Sequence, residues 1–434
     1  MTKTAKAKYV IIGNSAGAIG AAETIRAVDR TGTITIIADE PYPAYSRPLI
    51  SKHLADKRPL EKMLFRSVDF YERNNIQTML GSKVQKLNLV EHNIEIVGGE
   101  KVAWEKLLLA TGGSPIISKV EGLERDKFFT FITLDDAKAI DRFLSQSRKG
   151  NVKAVVIGGG LIGVSVTEAL VKRSVQVTIV EMKSWVLNTM LDVETASVMA
   201  EALQRVGVNI ITGRTATGMA GDLAAGGSVV LNDGQSLSAD LLVMAIGVRP
   251  RADLAVGTGI TINRGIIVDR QMMTSVPDVY ACGDVAEAYD AIYGQNRVIP
   301  IWPNAYMGGR VAGFNMAGVS AEYPGGTVMN SLNYFGIEVV SAGMVIPVDN
   351  SYEVLTSRSD HTHRRLVLKN DRVVGMAFIG NVERSGIVHN LMKEQVDVSR
   401  FKKELLSPDF SLATLPREVW QPHLAVPEEA IASK

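Results

Sequence analysis

Residues 9–40 and 153–183 run through one pattern twice: an apolar stretch, a glycine-rich turn, a helical period, then a second apolar stretch. Residues 107–113 and 241–248 form another matched pair, each an apolar stretch ending in small residues. An apolar strand that enters a glycine turn and leaves as a helix opens a parallel βαβ unit, and a later apolar strand closes its sheet. The repetition predicts an α/β chain built on two Rossmann-like dinucleotide-binding domains. At 434 residues there is room for roughly three domains, so a further one is expected beyond the repeats.

In the second repeat, Gly158-x-Gly160-x-x-Gly163 follows a predicted buried strand at 154–157 and opens a helix. Glu181 ends the next strand, near the spacing of about 20 residues expected for a ribose-binding acid. The glycines let the backbone approach a pyrophosphate, and Leu161 and Ile162 begin the helix whose N-terminal N–H groups and dipole favour its charge. Glu181 would accept hydrogen bonds from ribose hydroxyls and repel a 2′-phosphate. With Met182 next and only Lys183 as a nearby cation, NAD(H) is expected over NADP(H). The first repeat is less regular: Gly13-Asn14-Ser15-Ala16-Gly17-Ala18 puts Ser15 at the second glycine position and Ala18 at the third. Serine is small enough for close approach, and its hydroxyl can donate to a phosphate. Gly13, Ser15, Ala16 and Gly17 are the candidate contacts there. Asp39 is taken as the ribose acceptor on spacing, with Glu40 left open.

Composition removes several alternatives. Lys+Arg 47 against Asp+Glu 46 leaves a net charge of +1, without the basic field that nucleic-acid binding needs. The single cysteine, Cys282, cannot build a disulfide, a Cys-rich zinc site or an iron–sulphur cluster alone, so any one-electron centre belongs to a partner. The six histidines show no ligand spacing, and no metal site is assigned. The basic residues before Tyr9 mimic a secretory signal, but Gly13-Asn14-Ser15 breaks the apolar run as a strand entering a turn would. No segment reaches the apolar length of a membrane span, and a cytoplasmic location is expected.

Residues 278–287 read D-V-Y-A-C-G-D-V-A-E. With the two repeats and Ala110-Thr111-Gly112-Gly113, they resemble the two-dinucleotide flavoproteins of the pyridine nucleotide-disulfide oxidoreductase superfamily. The resemblance spans nearly the whole chain. It implies that the first unit binds FAD, that the second binds NAD(H), and that Asp284 hydrogen-bonds the FAD ribitol. It places an FAD-binding domain at 1–118 and 250–324, an inserted NAD-binding domain at 119–249 and a C-terminal α+β interface domain at 325–434. Thr111 and Gly112 join the FAD contacts and Gly247 the NAD contacts, while Arg249 reads as a hinge residue.

Disulfide-reducing members carry redox cysteines after the first repeat. Here that stretch is Tyr45-Ser46-Arg47-Pro48-Leu49-Ile50-Ser51-Lys52, and no histidine precedes a proline, so disulfide reduction is excluded. The Y-S-R-P-x-x-S-K pattern, with residues 299–318, is similar to ferredoxin and rubredoxin reductases and to the flavin portion of assimilatory nitrite reductases. By that similarity Arg47 and Pro48 contact FAD, and Lys52, the catalytic candidate, stands near the flavin N5. Trp302 and Asn304 precede a helix at 305–316 whose N-terminus faces the flavin pyrimidine. Relatives pair that lysine with a glutamate. The equivalent residue here is Ser165, and Glu168 lies about 60° around the helix, so Glu168 is given no catalytic role.

Beyond residue 325 the pattern changes to strands at 331–345, 352–355, 364–368 and 373–379, then a helix at 382–393. Residues 396–406 resemble FAD subunits of anaerobic complexes such as phenylglyoxylate dehydrogenase and tungsten aldehyde oxidoreductase. His361, His363, Arg364 and Arg365 read first as a solvated hairpin end, and second as a contact for an acidic iron–sulphur partner. The tail, 420–434, is expected to wrap a neighbouring subunit or stay loose.

The expected function is FAD-dependent electron transfer between NAD(H) and a one-electron iron–sulphur acceptor or donor: rubredoxin, ferredoxin or a partner subunit. A homodimer or a hetero-oligomeric complex is the expected assembly. The rival readings are a stand-alone NADH oxidase using oxygen, and a non-catalytic nucleotide-sensing subunit supported only by Ser165.

Overall fold

The computed structural model describes residues 5–421 apart from 119, 123, 125–126, 148–149, 224–225, 360–361 and 408. The chain divides into two compact units, Met1–Ser184 with Val206–Val328, and Trp185–Arg205 with Met329–Lys434.

In the first unit both repeats form, each in a sheet of its own, and their parallel strands follow the same order. Strand Ala5–Ile12 lies between Ile34–Ala38 and Lys101–Leu109, with Ile76–Leu80 outside Ile34–Ala38, all parallel. Strand Lys153–Ile157 lies between Gln176–Glu181 and Leu241–Met244, with Asn209–Thr212 outside Gln176–Glu181, again all parallel. Strands Ile34–Ala38 and Leu241–Met244 are buried along their whole length, which is why they read as unbroken apolar runs rather than alternating ones. Val10, Ile11, Ile34, Ile36 and Ile37 are fully buried, each contributing about 1.5–3 kcal/mol by leaving water.

The chain leaves the first sheet along Gly113–Pro115 and returns along Val248–Pro250, and these short strands pair antiparallel. Strand Val279–Ala281 then joins the first sheet beside Lys101–Leu109 and delivers the turn Gly283–Val285. Helix Trp302–Met316 lies against helix Ala16–Val28. Small residues permit the approach: a Cβ on Gly309 would stand 2.0 Å from the Gly17 carbonyl oxygen, and one on Gly313 2.7 Å from that of Ala21. The later helix starts three residues before the expected 305, because Pro303 suits a first turn in which its missing N–H has no partner to lose.

The second unit is a five-stranded antiparallel sheet in the order Met329–Tyr334, Ile337–Gly343, Arg372–Ile379, His363–Lys369, Glu353–Arg358. The single strand expected over 331–345 is two strands. Phe335 and Gly336 take φ of 52° and 79°, as a two-residue type I′ hairpin loop requires. Helices Ser385–Lys393 and Val193–Arg205 both pack on strand Arg372–Ile379. The solvated hairpin end is also corrected: His363 and Arg364 are 1% and 4% exposed. Arg364 donates to the carbonyls of Leu406 and Ser407 and lies over the Phe378 ring, and Arg365 pairs with Asp192 at 2.9 Å. Those charges are used inside the unit, which also argues against a docking role for them. His361 and residues 422–434 of the tail lie outside the described residues. Among the described residues, no helix is long and apolar enough to cross a membrane.

Candidate active site

In each of the two sheets that hold the repeats, the first parallel strand runs into a glycine turn, and the positions of that turn do different work. At the second sheet Gly158 has φ 105°, and a Cβ there would stand 2.4 Å from the Ala245 carbonyl oxygen, so the turn demands glycine. A Cβ on Gly163 would stand 1.9 Å from the Gly158 carbonyl oxygen, which marks close packing of helix on turn. Gly160, the N-cap of helix Leu161–Lys172, differs: nothing lies within 4 Å of where its Cβ would be. An uncrowded backbone at a helix N-terminus, with Leu161 and Ile162 as its first turn, fits a dinucleotide pyrophosphate. Glu181 is buried at the neighbouring strand end, its carboxylate accepting from the N–H groups of Gly159 at 2.6 Å and Lys183 at 2.8 Å. Gly247 has φ 116°, and its carbonyl accepts from the Ile116 N–H at 2.9 Å.

At the first sheet Gly13 repeats the role of Gly158, with the Ala110 carbonyl oxygen 2.1 Å from where a Cβ would be. Ser15 is the N-cap of the helix that begins at Ala16, and its side chain makes no capping hydrogen bond. Gly17 serves packing, since a Cβ on it would meet Cys282 Sγ at 2.7 Å. Past the next strand the two acids part company. Asp39, exposed at the strand end, accepts from Arg251 Nη2. Burial works against its ionisation, but the Arg251 bond and charge prevail and hold its carboxyl below the usual range. Glu40 accepts from the Tyr45 hydroxyl at 2.6 Å and from Arg47. Arg47 and Pro48 open the short 3-10 turn Arg47–Leu49, and Arg47 also donates to the Ile132 carbonyl at 3.2 Å. Asp284 lies in the turn Gly283–Val285, where burial raises its pKa against the opposing charge of Arg47. Thr111 Oγ1 donates to the Arg251 carbonyl at 2.7 Å, and the Gly112 carbonyl accepts from the Arg251 N–H at 2.9 Å.

Lys52 lies on helix Ile50–Asp56, which packs on helix Leu161–Lys172. Arg173 fastens this contact, donating to the Leu54 carbonyl at 2.9 Å and to Asp141 at 2.7 Å. Lys52 Nζ stands 3.7 Å from Glu168 Oε2, and Lys172 Nζ stands 3.3 Å from Oε1 of the same carboxylate. The partner of Lys52 is therefore Glu168. A turn of offset along the helix is within reach of a lysine stem.

Residues 7–309 match the family model for pyridine nucleotide-disulphide oxidoreductases, and residues 329–396 match that for the rubredoxin NAD+ reductase C-terminal domain. This chain belongs to the pyridine nucleotide-disulphide oxidoreductase family. It is an oxidoreductase whose cofactors are FAD and NAD(H). It is 31% identical to the epsilon subunit of NADH-dependent phenylglyoxylate dehydrogenase from Aromatoleum evansii, over 92% of this chain and 94% of that protein. It is 29% identical to the NADH-rubredoxin oxidoreductase of Clostridium acetobutylicum, over 94% of this chain and 99% of that one. Among solved structures, the covalent putidaredoxin reductase–putidaredoxin complex matches with a TM-score of 0.84 at 25% identity, over 98% of this chain and 100% of the other.

In this member of the family the one cysteine has a packing role. Cys282 is buried between Gly17 and Gly308, and burial, with the Asp284 charge, pushes its thiol up to about 12. Trp302 and Asn304 belong to the first turn of helix Trp302–Met316 rather than preceding it. Trp302 meets Phe65 edge-on with ring centroids 4.9 Å apart, and Asn304 Nδ2 donates to the Thr327 carbonyl at 3.0 Å. Two pairings at these sites were not foreseen from the sequence, Lys52 with Glu168 and Asp39 with Arg251. Glu168 had a faint signal, its i,i+4 spacing to Lys172. Arg251 had none, because no local rule connects it to Asp39 across 212 residues.

Proposed function

We propose that this chain carries electrons between NAD(H) and an iron–sulphur protein or subunit, with the NAD-linked subunit of a larger oxidoreductase as one setting. The observation that carries the proposal is the pairing of two intact nucleotide turns with a lone, buried, high-pKa cysteine: electrons enter as in the family but have no thiol through which to leave. The phenylglyoxylate dehydrogenase subunit and the rubredoxin oxidoreductase, both matched over most of their length, support an iron–sulphur partner.

FAD, when bound, supplies the conversion between a hydride and single electrons. Residues 1–118 and 250–324 form its domain, and 119–249 form the NAD domain. Gly158, Gly160, Leu161, Ile162 and Gly163 hold the pyrophosphate of NAD(H), Glu181 binds its ribose, and Gly247 lets it approach. Gly13, Ser15, Ala16, Gly17, Thr111 and Gly112 receive FAD, with Asp39 on the adenosine ribose, Asp284 on the ribitol, and Arg47 and Pro48 beside it. Trp302 and Asn304, in the first turn of their helix, would face the pyrimidine end of the flavin. Lys52, oriented by Glu168, would place a positive charge where electron density accumulates on flavin reduction. The protein works in the cytoplasm.

The test is the reoxidation of NADH-reduced protein, in air and then anaerobically with rubredoxin or ferredoxin. Slow oxygen use with fast iron–sulphur reduction is expected. Rapid turnover with oxygen and none with either carrier would make the protein an NADH oxidase.

A further inference from the structure

Asp39 and Arg251 meet where the parallel strands of the first sheet end. Asp39 follows strand Ile34–Ala38, and Arg251 follows Val248–Pro250, the strand on which the chain returns from the second repeat. Their side chains are 38% and 34% exposed, so the pair is neither core nor fully solvated. The backbone of Arg251 is fixed on both sides: its N–H donates to the Gly112 carbonyl at 2.9 Å and its carbonyl accepts from Thr111 Oγ1 at 2.7 Å. The guanidinium thus has a defined origin in the very turn that closes the first nucleotide site, beside the Gly13–Ala110 contact. Ligands of open parallel sheets bind outside these strand ends.

We propose that Arg251 is a positioning residue for FAD: by holding one carboxylate oxygen of Asp39, it aims the other at the adenosine ribose. A free aspartate at a strand end samples several rotamers and must be ordered when the ribose arrives. One already fixed by an anchored guanidinium carries less of that cost. The depressed carboxyl of Asp39 fits the same picture, because only the ionised form accepts from both ribose hydroxyls. The inference rests on the reading that the first unit binds the adenosine end of FAD through Asp39.

FAD release from the purified holoenzyme, followed by flavin fluorescence, tests it in Arg251→Met, Arg251→Lys, Asp39→Asn and the Arg251→Met/Asp39→Asn double variant, with the unfolding midpoint of each measured alongside. Arg251→Met is expected to speed release about tenfold, which is about 1.4 kcal/mol. Arg251→Lys should recover most of the loss, and in the Asp39→Asn background Arg251→Met should add nothing. Three results would overturn the positioning role while leaving the ribose reading intact: Asp39→Asn loosening FAD when Arg251→Met does not, the two effects multiplying in the double variant, or Arg251→Met lowering only the unfolding midpoint. Unchanged release in Asp39→Asn would instead remove the ribose reading itself.

Discussion

Glu168 answers to two lysines, and its position makes it the anchor of both. Its side chain is 8% exposed while Lys52 and Lys172 are 34% and 39% exposed, so the carboxylate is the fixed, desolvated member and the ammonium groups are the mobile ones. An ion pair to a half-exposed lysine adds little stability, since solvent screens it. Its effect is orientational: it narrows where the Lys52 ammonium can go. Glu168→Gln should therefore slow NADH-driven flavin reduction in stopped flow by about three- to tenfold, roughly 0.7–1.4 kcal/mol, with little change in unfolding midpoint. Lys52→Met should slow it at least as much while FAD stays bound. A Glu168→Gln enzyme as fast as the parent would show that Lys52 needs no partner.

At the level of elements, helix Val193–Arg205 is held in the second unit by polar contacts at its start. Asp192 accepts from the Thr195 N–H at 2.7 Å and pairs with Arg365, while Thr195 Oγ1 and His363 Nδ1 lie 2.8 Å apart, buried. Burial lowers the His363 pKa below its ordinary 6.5, and Arg358 and Arg365 add to this, against Asp192 and Glu194, which raise it. The docked helix therefore faces a neutral imidazole. As pH falls below about 6.5, forms with this histidine exposed take up a proton that the docked form refuses, so docking weakens until His363 itself titrates. Amide exchange across 193–205, corrected for intrinsic rates, should accelerate from pH 7.5 to 5.5 in the parent and change less in His363→Gln. An equal pH response in both would remove His363 as the cause.

For the whole molecule, the two repeats build one architecture twice, so what separates them is the acid at each strand end and its neighbours. Glu181 is held by the backbone N–H groups of Gly159 and Lys183, whereas Asp39 is held by a guanidinium. If the second repeat takes NAD(H), Glu181→Ala should raise the KM for NADH about tenfold and narrow the preference over NADPH, with FAD retained. Flavin loss with an unchanged KM would reverse the assignment of cofactors to repeats.

The alternation of strand, turn and helix, the glycine positions and the acids at 39 and 181 were legible in the amino-acid order. They obey short-range rules: periodicity, the steric need for glycine at φ 105° and 119°, and the few residues between a turn and the next strand end. Within those limits the structure moved boundaries by a few residues, at Pro303 and at the Phe335–Gly336 loop. Folding alone settled which partners meet across long separations. Glu168 reaches Lys52 because one helix packs on another, Arg251 reaches Asp39 because the chain returns past the first sheet, and His363 is buried where helix Val193–Arg205 packs in the second unit. Each depends on the packing of whole faces, in which many distant pairs compete at once, and no spacing along a single chain records which pair prevails.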